Sequence, residues 1–262
     1  MANMKNAPLV YTIGMLQFTR IPNIAQFVDK FMNSIRHEYP LEDRDEVSSF
    51  NANIAIDGVK MERQQTQLWQ FSSVDRKWGF VLSDCALCLH TNNYHDFHNF
   101  FERFEKGIVA LGNIPEINLE WMTSIGFRYV NMVTPRPKES LGNYLHPWIL
   151  PNDPPKGLLK MIQGIYAVRY KTKSGELRIQ SLRNPIYTLP PELNSSFLIK
   201  NEWINKRPKS EFALVDIDHG TTWPEAIPFN PKKALNSMKK LREGSKSIFE
   251  SMRTPFAKKV WS

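Results

Sequence analysis

The sequence predicts an α+β protein of two halves, in which each half is an antiparallel sheet covered on one face by amphipathic helices. Three observations predict this class: stretches in which apolar residues alternate, stretches in which they recur three and four apart, and a proline-rich stretch between two such sets. The 262 residues are 42% hydrophobic and 12% aromatic, so the chain has enough apolar side chains for a core and is not intrinsically disordered.

The proline-rich stretch divides the chain. Six of the 18 prolines lie between residues 135 and 155, in a stretch that also carries Leu141, Tyr144 and Trp148. We therefore expect a connection that packs against the protein and is not a free linker. The predicted organisation is residues 1–134, an antiparallel sheet plus two helices; residues 135–155, the packed connection; and residues 156–262, an antiparallel sheet plus a long basic C-terminal helix.

Strands are predicted where β-forming residues alternate between apolar and polar and turn residues follow. Asp57-Gly58 and Lys173-Ser174-Gly175-Glu176 lie between alternating stretches, which predicts a hairpin at each place. The predicted strands are residues 8–18, 67–71, 78–90, 124–132, 162–170, 177–182, 197–204 and 212–219.

Helices are predicted where apolar residues recur three and four apart. They cover residues 22–36, 94–111 and 231–253. The second helix carries an aromatic stripe that includes Phe97, Phe101 and Phe104. The third begins at Asn230, a residue type that caps helices, with Pro231 in the first helical position.

The net charge of +8 is very unevenly placed. Residues 1–134 hold 12 basic and 15 acidic side chains, whereas residues 135–262 hold 22 basic and 11 acidic ones. The last helix and the residues after it carry most of the surplus, so we expect a macromolecular partner to bind there, a protein or alternatively a nucleic acid. The basic side chains expected to bind this partner are Lys232, Lys233, Lys239, Lys240, Arg242 and Lys246.

No membrane span and no secretion signal are predicted. No apolar run approaches the roughly 20 residues that a membrane helix needs. The first residues lack the apolar core of a signal peptide, and two cysteines do not make a disulfide framework. We therefore expect a cytoplasmic protein without a membrane partner.

Five residues that lie close together in the sequence have side chains that zinc prefers, namely Cys85, Cys88, His90, His95 and His98, and of these Cys85, Cys88, His95 and His98 are the candidate ligands. However, the two cysteines lie three apart in a predicted strand, which sends them to opposite faces of the sheet. We therefore predict no metal and no cofactor, and interpret the cysteines as buried and the histidines as surface residues at a helix start.

The candidate for a catalytic site is the pair Asp216 and Asp218, which share one face of a predicted strand. His219 follows them in the sequence. Paired carboxylates can hold Mg²⁺ or do acid–base work, which is typical of nucleases and phosphotransferases. The same spacing is typical of the solvent-facing side of any antiparallel strand. Since no third acidic ligand and no phosphate-binding or nucleophile motif accompanies the pair, we favour a protein that is not an enzyme.

The strand around Arg128 predicts that this arginine has an anionic partner. Alternation places Phe127, Tyr129 and Asn131 on one face of the strand, and Arg128 with Val130 on the other. A half-buried arginine needs a carboxylate partner or an anionic ligand, and we favour a structural ion pair.

Several short patterns together resemble a family. They are a Trp-x-Phe strand at Trp69 and Phe71, a Thr-x-x-Tyr entry into an aromatic helix at Tyr94, and Ile-Gly-Phe-Arg-Tyr-Val-Asn with Gly126, Arg128, Tyr129 and Asn131. The chain is similar in these patterns to a sporadically distributed bacterial family of about its own length, in which Leu and Ile usually stand where Phe127 and Val130 stand here. The resemblance implies no catalytic residues, and it implies genes linked to defence, immunity or toxin–antitoxin systems.

Together these observations predict a non-catalytic interaction or regulatory protein that binds a macromolecular partner through its second half. The first alternative is a nucleic-acid-binding protein that uses the basic C-terminal helix, although no known DNA- or RNA-binding motif accompanies that helix. The second alternative is a metal-dependent enzyme at Asp216 and Asp218.

Overall fold

The computed structural model describes residues 7–55, 58–151, 159, 161–190, 193 and 207–262, and within residues 46–65 it describes the backbone alone. The strands of these residues form one antiparallel sheet of nine strands in the order β2-β3-β4-β5-β1-β6-β9-β8-β7. The strands are β1 Leu9–Phe18, β2 Leu41–Ala55, β3 Gly58–Ser72, β4 Trp78–Leu82, β5 Ala86–Thr91, β6 Trp121–Val133, β7 Gly164–Thr172, β8 Gly175–Arg183 and β9 Ala213–Pro228.

Helices lie between and after these strands. They include α1 Val28–Ile35, α2 Phe97–Gly112, α3 Leu141–Tyr144, α4 Pro231–Met252 and α5 Pro255–Trp261, with short 3₁₀ turns at Ile24–Phe27 and Pro147–Ile149. Within the described residues, no helix is both long and apolar enough to cross a bilayer.

The predicted mixture of helices with an antiparallel sheet is confirmed. The description as two halves, each with its own helix-covered sheet, is not confirmed, because strands from both segments lie in one sheet. The last strand of the first segment, β6, pairs with β9 of the second from Trp121 opposite Pro228 to Val133 opposite Ala213. The predicted strand at residues 78–90 is divided into β4 and β5. The predicted strand at residues 197–204 and the turn residue Asp57 lie outside the described residues.

The helices cover one face of the sheet, and the main core lies between the helices and this face. The side chain of Phe31 on α1 packs edge-on against Phe71 and Phe80, with ring centroids 5.5 and 6.1 Å apart. At Gly14 of β1, a Cβ atom would lie 2.8 Å from the Met238 side chain of α4 and 2.9 Å from the Phe100 ring of α2. The centre of the sheet therefore passes directly under both long helices, and glycine permits that close approach.

The long helix α4 begins as the sequence predicts. The side chain of Asn230 accepts a hydrogen bond from the backbone N–H of Lys233 at 3.0 Å, and Pro231 occupies the first helical position. The side chain of Asp96 caps α2 in the same way, by accepting from the N–H of Asn99 at 2.9 Å.

The proline-rich connection packs against the protein where it is described. Leu141, Tyr144 and Ile149 are buried, and the ring of Tyr144 lies 5.6 Å from that of Trp261. The backbone N–H of His146 donates a hydrogen bond to the backbone oxygen of Met252 on α4 at 2.8 Å. Residues 141–149 of this stretch thus contact α4 and α5.

Candidate binding site

The second face of the sheet, opposite the helices, carries a row of charged side chains. Antiparallel partners share a face, and the register places Ile13 opposite Arg128, Arg128 opposite Asp218, and Asp218 opposite Arg178. Arg169 on β7 continues the row, because it lies opposite Arg178. Four neighbouring strands, β6, β9, β8 and β7, thus contribute to one charged stripe, and the apolar Ile13 of β1 lies at its end.

At the centre of this row, Arg128 and Asp216 form a buried ion pair. The Nε of Arg128 donates to Oδ1 of Asp216 at 2.8 Å, and its Nη2 donates to Oδ2 at 2.6 Å. The two side chains are 11% and 1% exposed. The carboxylate that the sequence requires for Arg128 is therefore Asp216, and the interpretation of Asp216 as a solvent-facing residue does not describe this strand. A guanidinium that binds both carboxylate oxygens also leaves Asp216 poorly suited to Mg²⁺.

Asp218 lies between two arginines and has a different environment. Its carboxylate Oδ2 is 3.4 Å from Nη2 of Arg178, and the two side chains are 37% and 39% exposed. Burial raises the pKa of Asp218, and the nearby Asp216 adds to this rise, whereas Arg128 and Arg178 oppose it. Asp218 is thus a partly desolvated acceptor with one long ion-pair contact.

The third residue of the catalytic candidate, His219, faces the other way. Its Nδ1 lies 2.8 Å from the backbone oxygen of Leu241 on α4, and its Nε2 lies 2.9 Å from Oγ1 of Thr172. Burial lowers the pKa of His219, so the ring is neutral at neutral pH. The structure brings Asp216 and Asp218 to one face but places His219 between the sheet and α4, where it joins three elements.

An apolar cavity of about 250 Å³ opens on the second face beside Arg128 and Asp218. Its apolar walls come from β1, β3, β4 and β5 and from Leu193, which packs on this face with Leu189. The apolar lining includes Ile13, Met15, Leu68, Val81, Cys88 and Leu193.

A polar groove of about 560 Å³ lies next to the cavity, between the β7–β8 hairpin and β9. It is lined by Arg169, Lys171 and Arg178, together with the threonines of β9, and Arg169 is paired with Glu176 at 2.5 Å. Asp218 lines both the groove and the cavity, so the two spaces meet at this residue.

A buried polar pair, Tyr11 and His90, also lies on the second face, and the sequence does not predict this contact. The hydroxyl of Tyr11 lies 2.6 Å from Nδ1 of His90, and both side chains are buried. Burial raises the pKa of Tyr11 far above its usual value and lowers the pKa of His90 to about 3. A protonated Tyr11 therefore shares a hydrogen bond with a neutral imidazole. The antiparallel pairing of β1 with β5 brings these residues together, and nothing in their spacing along the chain indicates the contact.

The zinc-type residues do not form a cluster. Cys88 lines the cavity, and burial raises its pKa far above that of an ordinary thiol. Cys85 lies before β5, close to Ser83, while His95 and His98 are exposed at the start of α2. Across the part of the chain that the structure describes, no group of three or more His, Cys, Asp or Glu side chains is close enough to hold a metal ion.

The basic helix α4 presents fewer free cations than its sequence indicates. The Nζ of Lys239 lies 4.4 Å from the ring centre of Phe101, and the guanidinium of Arg242 lies 4.9 Å from that of Phe97. These two cations contact aromatic rings of α2. Lys232, Lys233 and Lys240 are exposed, and Lys246 is half-buried.

Most residues of the patterns that resemble the bacterial family have structural contacts. Tyr94 and Tyr129 stack edge-on with their hydroxyl oxygens 3.0 Å apart, and the amide of Asn131 donates to the backbone oxygen of Val215 at 3.2 Å. Trp69 and Phe71 are buried in the main core, whereas Gly126 and Arg128 line the cavity. No protein-family model, curated protein or solved structure matches the chain.

Proposed function

We propose that the chain is a non-catalytic binding protein whose second half binds an extended, acidic segment of a partner protein along β7 and the adjoining groove. The observation that carries this proposal is the combination of an edge strand with a groove whose lining holds three cations, Arg169, Lys171 and Arg178, and two carboxylates, Glu176 and Asp218. β7 lies at one end of the strand order, and within the described residues it pairs with β8 alone.

An edge strand offers backbone N–H and C=O groups to an added strand. On β7 the alternate residues Ile165, Ala167, Arg169 and Lys171 are all exposed on the second face. Arg169 and Lys171 also line the groove, which extends from β7 over β8 and β9, so both charges lie on the face that side chains of an added strand would share. Carboxylates at alternate positions of the added strand would lie beside these two cations.

The other end of β7 is apolar and exposed. Ile165 is 63% exposed, Ile162 just before the strand is 87% exposed, and Ile186, which follows β8 at the same end, is 79% exposed. Exposed apolar residues grouped in this way are typical of protein interaction sites. The partner segment therefore has acidic residues toward Lys171 and apolar residues toward Ile162.

The alternatives find less support in the geometry. Nucleic acid would contact the exposed Lys232, Lys233 and Lys240 of α4, but Lys239 and Arg242 already contact aromatic rings. A metal-dependent enzyme at Asp216 and Asp218 would have to displace Arg128 from Asp216, which costs the buried guanidinium its partner.

The test is selection of ten-residue peptides from a random phage-displayed library against the whole protein. We expect enriched peptides with acidic residues at alternate positions and affinity that falls as salt is raised. Binding should be lost in the double variant Arg169→Glu, Lys171→Glu and in Ile165→Asp. The matched control is Lys232→Glu, Lys233→Glu on α4, which should bind normally.

Failure to enrich any peptide, or equal binding by the β7 variants, would contradict the proposal. A gel shift with duplex DNA at about 50 mM salt provides the opposing test. A shift that disappears in the α4 control variant would replace the protein partner with nucleic acid.

We further propose the finer assignments that the sequence suggests. The division into two sheet-and-helix halves is supported by the way that α2 follows β5 and α4 follows β9. A reducing, cytoplasmic location is supported by Cys85 and Cys88, which are both free thiols. Membership of the sporadic bacterial family, with a role in defence, immunity or toxin neutralisation, is supported by the strand that carries Arg128 and Asn131.

A further inference from the structure

We propose that the apolar cavity on the second face binds a small uncharged molecule, with an apolar body of about ten non-hydrogen atoms and one O–H or N–H group that donates a hydrogen bond to Asp218. This inference concerns a small ligand and stands independently of the partner protein proposed above.

The size of the ligand follows from the cavity. An apolar cavity of about 150 Å³ is large enough to take up benzene. The cavity beside Asp218 measures about 250 Å³, which leaves room for a fused pair of rings or a comparable branched chain. Most of its walls are the side chains of Ile13, Leu68, Val81 and Leu193, which offer dispersion contacts and no hydrogen bonds. The hydroxyl of Ser83 also lines the cavity, and it accepts a hydrogen bond from the backbone N–H of Cys85 at 3.3 Å. The body of the ligand is therefore apolar.

The polar end of the ligand follows from Asp218. Its carboxylate lines the cavity and, within the described part of the chain, has one ion-pair contact, at 3.4 Å to Arg178. A carboxylate has about four acceptor sites, so it has capacity for a donor that enters from the cavity. Arg128 also lines the cavity, but its Nε and Nη2 donate to Asp216. The ligand therefore supplies a donor to Asp218.

The charge of the ligand follows from the balance around the cavity. Among the residues that the structure describes here, two arginines, Arg128 and Arg178, lie beside two carboxylates, Asp216 and Asp218. An ammonium group at Asp218 would also face both arginines, and a carboxylate would face Asp218 itself. An uncharged donor forms its hydrogen bond without disturbing this balance, since a charge in a poorly solvated site is costly unless it is paired.

The test uses four probes that share one ring system, titrated into the whole protein and followed by nuclear magnetic resonance. They are 2-naphthol, 2-methoxynaphthalene without a donor, 2-naphthoate and the 2-naphthylmethylammonium ion. We expect 2-naphthol to bind with a dissociation constant below about 1 mM and at least about tenfold more tightly than each of the other three. No saturable binding of 2-naphthol, or equal binding of the methoxy compound, would overturn the proposal.

Two variants locate the binding site. Ala86→Phe places a ring in the cavity, because Ala86 is part of its lining, and should abolish binding of 2-naphthol. Val74→Phe adds the same ring at a position that is 75% exposed, and it should leave binding unchanged. Equal binding by both variants would show that the probe binds elsewhere and would overturn the assignment.

Asp218→Ala tests the hydrogen bond separately from the apolar contacts. In this variant 2-naphthol and 2-methoxynaphthalene should bind equally, because the acceptor that distinguishes them is absent. A preference for 2-naphthol that survives the change would exclude Asp218 as the acceptor. Should Asp218→Ala fail to fold, the comparison of the four probes on the wild-type protein still decides the proposal.

Discussion

Arg128 lies opposite Asp218 in the register of β6 and β9, yet its guanidinium binds Asp216, two residues earlier on β9. This diagonal pairing leaves Asp218 to the more exposed Arg178. Two carboxylates that the sequence places on one face thus acquire different roles. Asp216 is a buried structural partner, and Asp218 is an acceptor at the junction of a cavity and a groove.

The first prediction concerns this ion pair. Arg128→Met leaves the carboxylate of Asp216 buried without its guanidinium, so we expect it to lower the free energy of unfolding by about 3–5 kcal/mol. The double variant Arg128→Met, Asp216→Leu removes both charges and should lose much less than the sum of the single changes. Urea unfolding of the single and double variants measures both quantities.

The control is Arg20→Met, which breaks the exposed pair between Arg20 and Asp84. We expect that change to cost at most about 1 kcal/mol, as exposed ion pairs do. An equal loss of unfolding free energy in Arg20→Met and Arg128→Met would show that the buried pair stabilises the protein no more than the exposed pair does.

The second prediction concerns pH and His90. Burial lowers the pKa of His90 to about 3, so the folded state keeps the ring neutral at a pH where the unfolded chain takes up a proton. The contribution of His90 to the free energy of unfolding is therefore fully present at pH values above the ordinary histidine pKa. As the pH drops from about 6.5 towards 3, this contribution falls by about 1.4 kcal/mol per pH unit.

His90→Gln keeps a polar side chain beside Tyr11 and removes the titrating group. The free energies of unfolding of wild type and variant should therefore converge as the pH falls from 7 to 4 in urea unfolding experiments. Parallel curves across that range would mean that His90 is protonated equally in the folded and unfolded states.

The alternation of residues in the strands predicts which face each side chain occupies, and it does so correctly around Arg128. Phe127 and Tyr129 lie in the core beneath the helices, and Val130 lies on the second face. Alternation does not predict that the second face at Asp216 is buried. That burial arises because β9 pairs with β6 and β8 and because Leu189 and Leu193 pack on this face, and these contacts join distant parts of the chain.

The stripe predicted for α2 shows a similar limit. The sequence assigns Phe97 and Phe101 to the same apolar face as Phe104, but the fully buried rings are Phe100 and Phe104. Phe97 and Phe101 are half-buried against the cations of α4. A helix with two neighbours needs two apolar faces, and helical spacing alone does not indicate which neighbour each face contacts.

The third prediction concerns Gly107, which lies in α2 directly against the ring of Phe80. A Cβ atom at this position would lie 2.4 Å from two atoms of that ring. Gly107→Ala gains about 1 kcal/mol of helix propensity but forces a buried ring to move, so we expect a net loss of about 1–2 kcal/mol. Thermal unfolding measures the change.

The matched control is Gly142→Ala in α3, where the nearest atom to the new Cβ is 3.7 Å away. We expect this substitution to be neutral or slightly stabilising. Greater stability of Gly107→Ala than of the wild type would show that α2 and β4 are packed less closely than the distances indicate.

The last prediction separates two cations of α4. Arg242 lies over Phe97 and interacts with the hydroxyls of Tyr94 and Tyr129, so it links α4 to α2. Lys240 on the neighbouring turn is exposed. We expect Arg242→Gln to lower the free energy of unfolding by about 1–2 kcal/mol, and Lys240→Gln to change it by less than about 0.5 kcal/mol. Urea unfolding of the two variants checks this difference. Equal effects would mean that Arg242 is a solvated surface charge and that the whole basic face of α4 is free to bind an acidic partner.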